Sequence, residues 1–93
     1  NSLYCHLAPR LLTTPSNALF EESEQYRLVE EYGPDCCQET QSGLLLERDF
    51  ASYSNMREWV LSFGARAEVL EPEELRADLL RQAEAMVKKY RGT

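Results

Sequence analysis

The sequence predicts an α+β domain with an antiparallel sheet. Short stretches of alternating apolar and polar residues, typical of half-buried strands, are interleaved with longer stretches whose apolar residues recur every three or four positions, as in amphipathic helices. Glycine and proline separate these stretches, as is typical of the turns between strands and helices. With 93 residues the chain can bury one modest core, and it is too short for a deep cleft between two domains.

A strand and a helix are predicted first. The strand is a short apolar run at residues 18–20. Ser23 can cap a helix that continues to Tyr32. Gly33 and Pro34 then end the helix, because glycine accepts the left-handed conformation that follows a helix and proline cannot continue one. The side chains expected to face inward from this helix are Tyr26 and Val29, with Leu28 and Tyr32 as further candidates.

Two strands joined by a tight turn follow this helix. Residues 36–40 and 43–50 favour extended structure, and the turn between them contains Gly43. Successive side chains of a strand point to opposite faces of the sheet. In the second of these strands, one face therefore carries Leu44, Leu46, Arg48 and Phe50, and the other carries Leu45, Glu47 and Asp49.

A second helix and a fourth strand complete the predicted sheet. Ser52 or Ser54 can cap the helix, and Gly64 closes it. Residues 65–70 then alternate, which predicts a strand. The helix has an amphipathic stripe at positions i, i+3, i+4 and i+7, which consists of Met56, Trp59, Val60 and Phe63.

A long last helix is predicted after the fourth strand. Pro72 suits its first helical position, and the acidic first turn and basic last turns complement the helix dipole. Its predicted buried stripe consists of Leu75, Leu79, Ala83, Met86, Val87 and Tyr90. The predicted order is βαββαβ, the ferredoxin-like pattern of an antiparallel sheet, with an added C-terminal helix that either covers the sheet or extends to a partner.

The first sixteen residues do not fit this pattern. They hold two of the four prolines, Pro9 and Pro15, and lack the period of a strand or a helix. We interpret residues 1–16 as a linker, a remnant of an upstream domain or vector-derived sequence. Residues 17–93 are the predicted folded domain.

The composition is acidic, with 16 acidic against 10 basic side chains and a net charge of −6. This charge argues against binding to a phosphate backbone by this domain alone. No apolar run approaches the roughly 18–20 residues that cross a bilayer, and the N-terminus lacks the features of a secretory signal. Three cysteines, an odd number, cannot form a self-contained disulfide set. We therefore expect a reducing, cytoplasmic location without membrane association.

No pattern in the chain favours catalysis or a cofactor. The only histidine, His6, has no acidic residue near it in the sequence, and its neighbour Cys5 does not by itself make a site. The paired carboxylates at 30–31 and 73–74 fit a solvated helix face and the first turn of a helix. Cys5 and the pair at 36–37 lack the spacing of metal ligands, and the glycines are isolated rather than clustered in a phosphate-binding loop. We predict a non-enzymatic domain with no catalytic, cofactor-binding or metal-binding residues.

Direct contact with nucleic acid is also not expected. A ferredoxin-like sheet can present aromatic side chains to single-stranded bases, as RNA-recognition domains do. The strand at 43–50 is a poor stacking platform, because it combines one phenylalanine with two acidic residues. The basic residues of the last helix alternate with acidic ones, which favours ion pairs on a solvated face.

One stretch of the chain resembles a known family. Residues 59–76, WVLSFGARAEVLEPEELR, resemble the C-terminal extension, or WCX domain, of WYL-domain transcriptional regulators. In that family a helix ending in W-x-L-S-F-G leads through A-E-V-L-E-P into a last helix that ends near a tyrosine, here Tyr90. The phrase YRLVEEY at 26–32 and the turn at 42–43 lie where the family has its first helix and its strand pair. The resemblance covers residues 17–91.

The resemblance implies that the chain is a fragment of a larger bacterial regulator. Such regulators combine a winged helix-turn-helix for DNA, a WYL domain that is thought to sense ligands, and this extension. We find no recognition helix and no WYL sensor motif here, so DNA binding would belong to the parent protein. The extension is implied to be a regulatory, homodimer-forming domain that packs against the WYL domain of its own or a partner chain.

The residues that carry the resemblance are candidates for structural or interface roles, and they are Trp59, Phe63, Gly64, Pro72 and Tyr90. Trp59 and Phe63 would bury a large aromatic area against the sheet, and Gly64 would permit the turn after their helix. The alternative function, from a different class, is a free-standing small-molecule-binding domain with its ligand at the edge of the sheet or of a dimer.

Overall fold

The structure is a computed structural model, and it describes residues 13–92. Two short 3₁₀ turns, at Glu22–Glu24 and Gly64–Arg66, separate some of the longer elements. The strands are β1 (Thr14–Phe20), β2 (Cys37–Thr40), β3 (Gly43–Phe50) and β4 (Ala67–Glu71). The helices are α1 (Gln25–Tyr32), α2 (Tyr53–Leu61) and α3 (Glu73–Tyr90).

The four strands form one antiparallel sheet in the order β2-β3-β1-β4. Strand β3 lies between β1 and β2, so it separates the two strands that flank α1. The predicted α+β class and antiparallel sheet are confirmed, and the helices and strands follow one another in the predicted order. The strand order leaves β2 and β4 at the edges of the sheet, and α3 follows directly from edge strand β4.

The core lies between one face of the sheet and the helices. Alternate residues of β1 and β3 are buried, because successive side chains of a strand point to opposite faces. Each helix adds side chains to the same cluster. The buried cluster consists of Ala18, Phe20, Leu28, Leu44, Leu46, Val60, Phe63, Val69 and Leu75. The inward face predicted for β3 is therefore confirmed at its two leucines.

Strand β1 is longer than the sequence indicates, because it begins at Thr14 rather than at residue 18. Three residues assigned to the preceding segment therefore pair with β3, and Ser16 is buried with its hydroxyl donating to the Arg48 carbonyl oxygen at 2.8 Å. Pro15 suggests a break in the chain, yet it lies within β1. At Pro15 one side of the strand is free, because β4 pairs with β1 only from Asn17 onward. Proline is tolerated where a strand has a free side. The rest of the assignment of residues 1–16 lies outside the described residues.

Helix α1 differs from the prediction in its start and in its buried face. Ser23 is not the cap: it lies within the 3₁₀ turn, and the α-helix begins at Gln25. Leu28 is fully buried, whereas Tyr26 is 80% exposed. Two residues along a helix correspond to about 200° of rotation, so these two side chains cannot share a face. The short apolar pattern fits two opposite faces, and contact with the sheet selects the one with Leu28.

Smaller corrections concern the boundaries around β4. Strand β4 begins at Ala67 rather than at residue 65, because the 3₁₀ turn takes up Gly64–Arg66. Pro72 is the N-cap of α3 rather than its first helical residue, with an extended φ of −82° and ψ of 159°. Ser52 is the cap of α2, and its hydroxyl accepts a hydrogen bond from the Asn55 N–H at 3.2 Å.

The predicted burial of the α3 stripe is wrong for its second half. Leu75 is fully buried and Leu79 packs against the core, as predicted. Beyond them the helix leaves the body of the domain, and the described residues extend over 55 Å in their longest direction. The four remaining members of the stripe are exposed, and they are Ala83, Met86, Val87 and Tyr90.

Candidate functional site

Trp59 and Phe63 stand at the centre of an aromatic cluster in the core. The Phe63 ring is fully buried, with its centroid 4.8 Å from that of Phe20 and 5.0 Å from that of Trp59, both edge to face. Trp59 is partly buried and also meets the Tyr32 ring at 5.8 Å. Such pairs add stability beyond the area that they bury. The cluster joins α1, α2 and β1.

Polar contacts that the sequence does not reveal complete this cluster. The Trp59 indole N–H donates to the Glu31 carboxylate at 3.2 Å. The Arg27 guanidinium lies 3.8 Å above the Phe63 ring and donates to the Ser62 hydroxyl at 2.8 Å. These partners come from α1, about 30 residues away in sequence, so no local motif could predict them. The two aromatic candidates therefore hold helices together.

Gly64 and Pro72 direct the chain around β4. Gly64 has a φ of +62°, which favours glycine, and it begins the 3₁₀ turn that leads from α2 into β4. Pro72 ends β4 and provides the backbone carbonyl that accepts hydrogen bonds from the N–H groups of Leu75 and Arg76. Both residues position elements of the fold.

Tyr90 lies apart from the other candidates, at the exposed end of α3. It belongs to an apolar strip along the projecting half of the helix, which we call the α3 strip and define as Leu80, Ala83, Met86, Val87 and Tyr90. Leu80 is 61% exposed and Tyr90 is 86% exposed, while Met86 and Val87 are about half exposed. Large exposed apolar patches are typical of interaction sites. The structure thus brings Tyr90 to a surface that can bind a partner.

A groove runs along the α3 strip. It encloses about 910 Å³ between α3 on one side and the end of α2 with β4 on the other. Its opposite wall includes Leu61 and three small residues, Gly64, Ala65 and Ala67, so a second sequence candidate borders the groove. Because β4 is an edge strand, the groove lies at the open edge of the sheet. The groove and the α3 strip form one continuous apolar surface.

Ion pairs fix the first half of α3, so the position of the strip is defined. The Arg76 guanidinium donates to the Val69 carbonyl oxygen at 2.7 Å and pairs with the Glu68 carboxylate at 3.6 Å. Asp78 is nearly buried and pairs with Arg57 of α2 at 3.2 Å and with Arg81 at 3.5 Å. A buried carboxylate needs such partners, because its desolvation is costly. These contacts anchor α3 to β4 and α2.

A second, smaller cavity of about 470 Å³ lies between α1, α2 and the end of β3. Its walls include Tyr32, Phe50 and Trp59. The Arg48 guanidinium lies 4.1 Å from the centroid of the Tyr32 ring. Burial raises the pKa of the Tyr32 phenol above its ordinary value. Aromatic rings beside a guanidinium can bind a planar anion.

The described cysteines are free thiols. Cys36 and Cys37 are partly buried, and their sulfur atoms are 3.2 Å apart. Cys36 also contacts the Leu28 carbonyl oxygen at 3.7 Å. In the part of the chain that is described, no group of three or more His, Cys, Asp or Glu side chains could hold a metal ion. His6 and Cys5 lie outside the described residues.

Cys37 should react slowly with thiol reagents in the folded protein. Burial, together with the hydrogen bond to Cys36, raises the pKa of the Cys37 thiol from 9.0 to about 12. The thiolate is the reactive form, so alkylation at pH 8 should be much slower than in the urea-unfolded chain. The folded state binds the thiol proton of Cys37 more tightly than the unfolded state does. The protonated thiol therefore stabilises the folded state fully below pH 9, and this stabilisation is lost as the pH rises to about 12.

Mass spectrometry after timed iodoacetamide treatment measures the rate at each cysteine separately. The unfolded chain is the control for intrinsic reactivity. Equal rates at Cys37 in the folded and unfolded chains at pH 8 would contradict the raised pKa.

The fold and the surface define a small α+β domain with an apolar edge groove and a projecting helix. In a comparison with known families, the model of the WCX domain matches residues 8–87. The chain therefore belongs to the WCX domain family, which is part of WYL-family regulators. No curated protein sequence matches the chain. Within residues 13–92, no helix is long and apolar enough to cross a membrane.

Proposed function

We propose that this chain is the C-terminal regulatory and dimerisation domain of a bacterial WYL-family transcriptional regulator. It acts without catalysis, in the cytoplasm, and it packs against the WYL domain of its own or a partner chain. The observation that carries the proposal is the exposed α3 strip with its groove. A domain of this family with a large apolar surface at one edge is suited to binding another protein domain.

Regulation requires contacts between domains that differ from one arrangement of the parent protein to another. An effector that binds the WYL domain changes the activity of the parent protein only if it favours one arrangement of the domains over another. The α3 strip can provide such a difference, because the free energy of its burial is about 25 cal/mol for each Å² of apolar surface. Because α3 is anchored through Asp78 and Arg76, a shift of its projecting half is transmitted to β4 and α2. The winged helix of the parent would contact DNA, and this domain would not.

The proposal is tested by charging the α3 strip. Leu80→Glu and Val87→Glu in the full-length regulator should lower the dimer fraction and weaken its response to the effector, because each places a carboxylate in the buried contact. Both side chains are exposed in the isolated domain, so its fold should be unchanged. Sedimentation velocity measures the assembly, and operator binding with and without effector measures the response.

The control is Tyr26→Glu, which makes the same type of change at a still more exposed residue on α1, away from the strip. It should leave both assembly and response as in the unmodified protein. If the two strip variants behave like this control, the strip has no regulatory or assembly role and the proposal is wrong.

The second candidate function is a free-standing domain that binds a small molecule. The cavity beside Tyr32, Trp59 and Arg48 favours it, since these groups suit a planar anion. The two functions differ in their assembly. A strictly monomeric protein that binds a planar anionic metabolite, and has no affinity for a WYL domain, would support this second function over the first.

A further inference from the structure

We propose that the projecting half of α3 pairs antiparallel with α3 of a second copy of this chain, so that each helix lies in the groove of the other. The inference rests on the dimerisation part of the proposed function and specifies its partner and geometry. It predicts a symmetric contact in which the same surface of both copies is used.

The first argument is the spacing of the exposed apolar residues. Leu80, Ala83, Val87 and Tyr90 follow one another at intervals of three, four and three residues. This is the a and d pattern of a heptad, which places side chains on one seam for contact with another helix. A stripe that packed on its own sheet would be buried, whereas Leu80 and Tyr90 are largely exposed. The projecting half of the helix therefore carries a short apolar seam with heptad spacing and no partner among the described residues.

The second argument is charge, and it selects the antiparallel direction. Residues 81–91 carry four basic side chains and one acidic one, while the first six residues of α3, 73–78, carry three acidic and one basic. An antiparallel pair places the basic end of each helix beside the acidic start of the other. A parallel pair would place the two basic ends together. Opposite charges beside a helix seam favour one orientation over the other.

Two residues define this contact most directly. Glu73 is the first residue of α3, and Arg91 is its C-cap, which keeps a helical conformation with φ of −82° and ψ of −8°. The two residues are 18 positions apart, about five helical turns, so they lie on the same side of the helix. Glu73 lines the groove. When two helices cross antiparallel near residue 82, Glu73 of each copy faces Arg91 of the other. The symmetric pair contains this contact twice.

The shape of the groove fits a helix. Its wall opposite α3 includes three small residues, Gly64, Ala65 and Ala67, which permit close approach of a second helix there. In the antiparallel register, Leu80 of one copy lies near Ala83 of the other, so a large side chain meets a small one. Helix α3 is about 27 Å long, and a contact of this length suits an interface of roughly 1,000 Å², the lower limit for a biological contact and typical of weak association.

The test uses two charge reversals in the 93-residue chain, Glu73→Lys and Arg91→Glu. Each variant alone places like charges opposite each other at both symmetric contacts. We expect its dimer to dissociate about tenfold more readily than the unmodified dimer in sedimentation equilibrium. An equimolar mixture should dimerise like the unmodified chain. In the mixed dimer the two reversed charges face each other as an ion pair at one contact, and the unmodified Arg91 faces the unmodified Glu73 at the other.

Glu74→Lys and Lys89→Glu are matched controls. They make the same charge changes beside Glu73 and Arg91, but Glu74 does not line the groove, and Lys89 lies about 200° around the helix from Arg91. Because they alter net charge and the helix dipole equally, they separate the pairing from these general effects. Both should dimerise like the unmodified chain, and far-UV circular dichroism checks that all four variants are folded.

The outcomes distinguish this inference from the function on which it rests. A monomeric unmodified chain at about 1 mM would overturn both the pairing and the dimerisation part of the proposed function. A dimer that is unaffected by Glu73→Lys and Arg91→Glu would overturn the antiparallel pairing alone. The same holds if the mixture dimerises no better than its components. Weakening by each reversal with recovery in the mixture supports the pairing, because in a parallel pair neither single reversal changes the number of like-charge contacts.

Discussion

Replacing Phe63 with alanine is expected to lower the free energy of unfolding by about 3–5 kcal/mol. The side chain is fully buried, packs edge to face on Phe20 and Trp59, and lies beneath the Arg27 guanidinium. Its removal leaves a cavity at the junction of two helices and the sheet. Because a domain of this size is stabilised by only about 5–10 kcal/mol, the variant should be close to unfolding at room temperature.

Urea denaturation followed by circular dichroism measures this effect. Trp59, the only tryptophan, gives a second probe, although its fluorescence will also respond to the loss of the neighbouring ring. Tyr26→Ala is the control, because it removes an aromatic side chain that is 80% exposed and should change stability by less than about 0.5 kcal/mol. Similar losses in the two variants would show that the aromatic cluster does not stabilise the core.

Gly43→Ala is expected to lower the free energy of unfolding by about 2–4 kcal/mol. Gly43 has a φ of +129°, which other residues rarely adopt. A Cβ at this position would lie 2.6 Å from the Phe20 carbonyl oxygen, a backbone atom that cannot move without disturbing β1. The substitution therefore strains the turn and also separates β1 from β3.

Gly33→Ala separates these two effects. Gly33 has a similar positive φ of +99°, but no atom lies within 4 Å of the Cβ that alanine would add. It should lose only the conformational contribution, about 1–2 kcal/mol. The difference between the two variants in chemical denaturation measures the contact with Phe20. Equal losses of unfolding free energy in the two variants would mean that β1 moves away from the added Cβ without destabilising the fold.

Much of the fold could be predicted, because its signals are local. The bounds of β3 and the end of α3 agree with the sequence pattern, since alternation, glycine and a run of helix-forming residues act over a few positions. The start of β1 could not be predicted in this way. Pro15 is a local signal for a break in the chain, whereas pairing with β3 decides where β1 begins. Ser23 has the side chain of a cap, but the 3₁₀ turn displaces the start of the helix.

The candidate site was predictable only in part. The motif around Trp59 and Phe63 identified the family, and their aromatic contacts are within the core. The same resemblance indicates Tyr90, but the apolar pattern predicts that Tyr90 is buried together with Ala83, Met86 and Val87, whereas all four are exposed. A stripe of apolar residues looks the same in sequence whether it covers its own sheet or another chain.

The sequence by itself determined the α+β class, the order of the elements, the acidic charge and the WCX family, because these depend on composition, short periods and motifs. Only the tertiary structure decided that the apolar face predicted for α3 is buried in its first half and exposed in its second half. The division arises where Asp78 pairs with Arg57 and the helix then leaves the edge of the sheet. Burial depends on which distant residues meet a helix face, and no local pattern records how far the body of the domain extends.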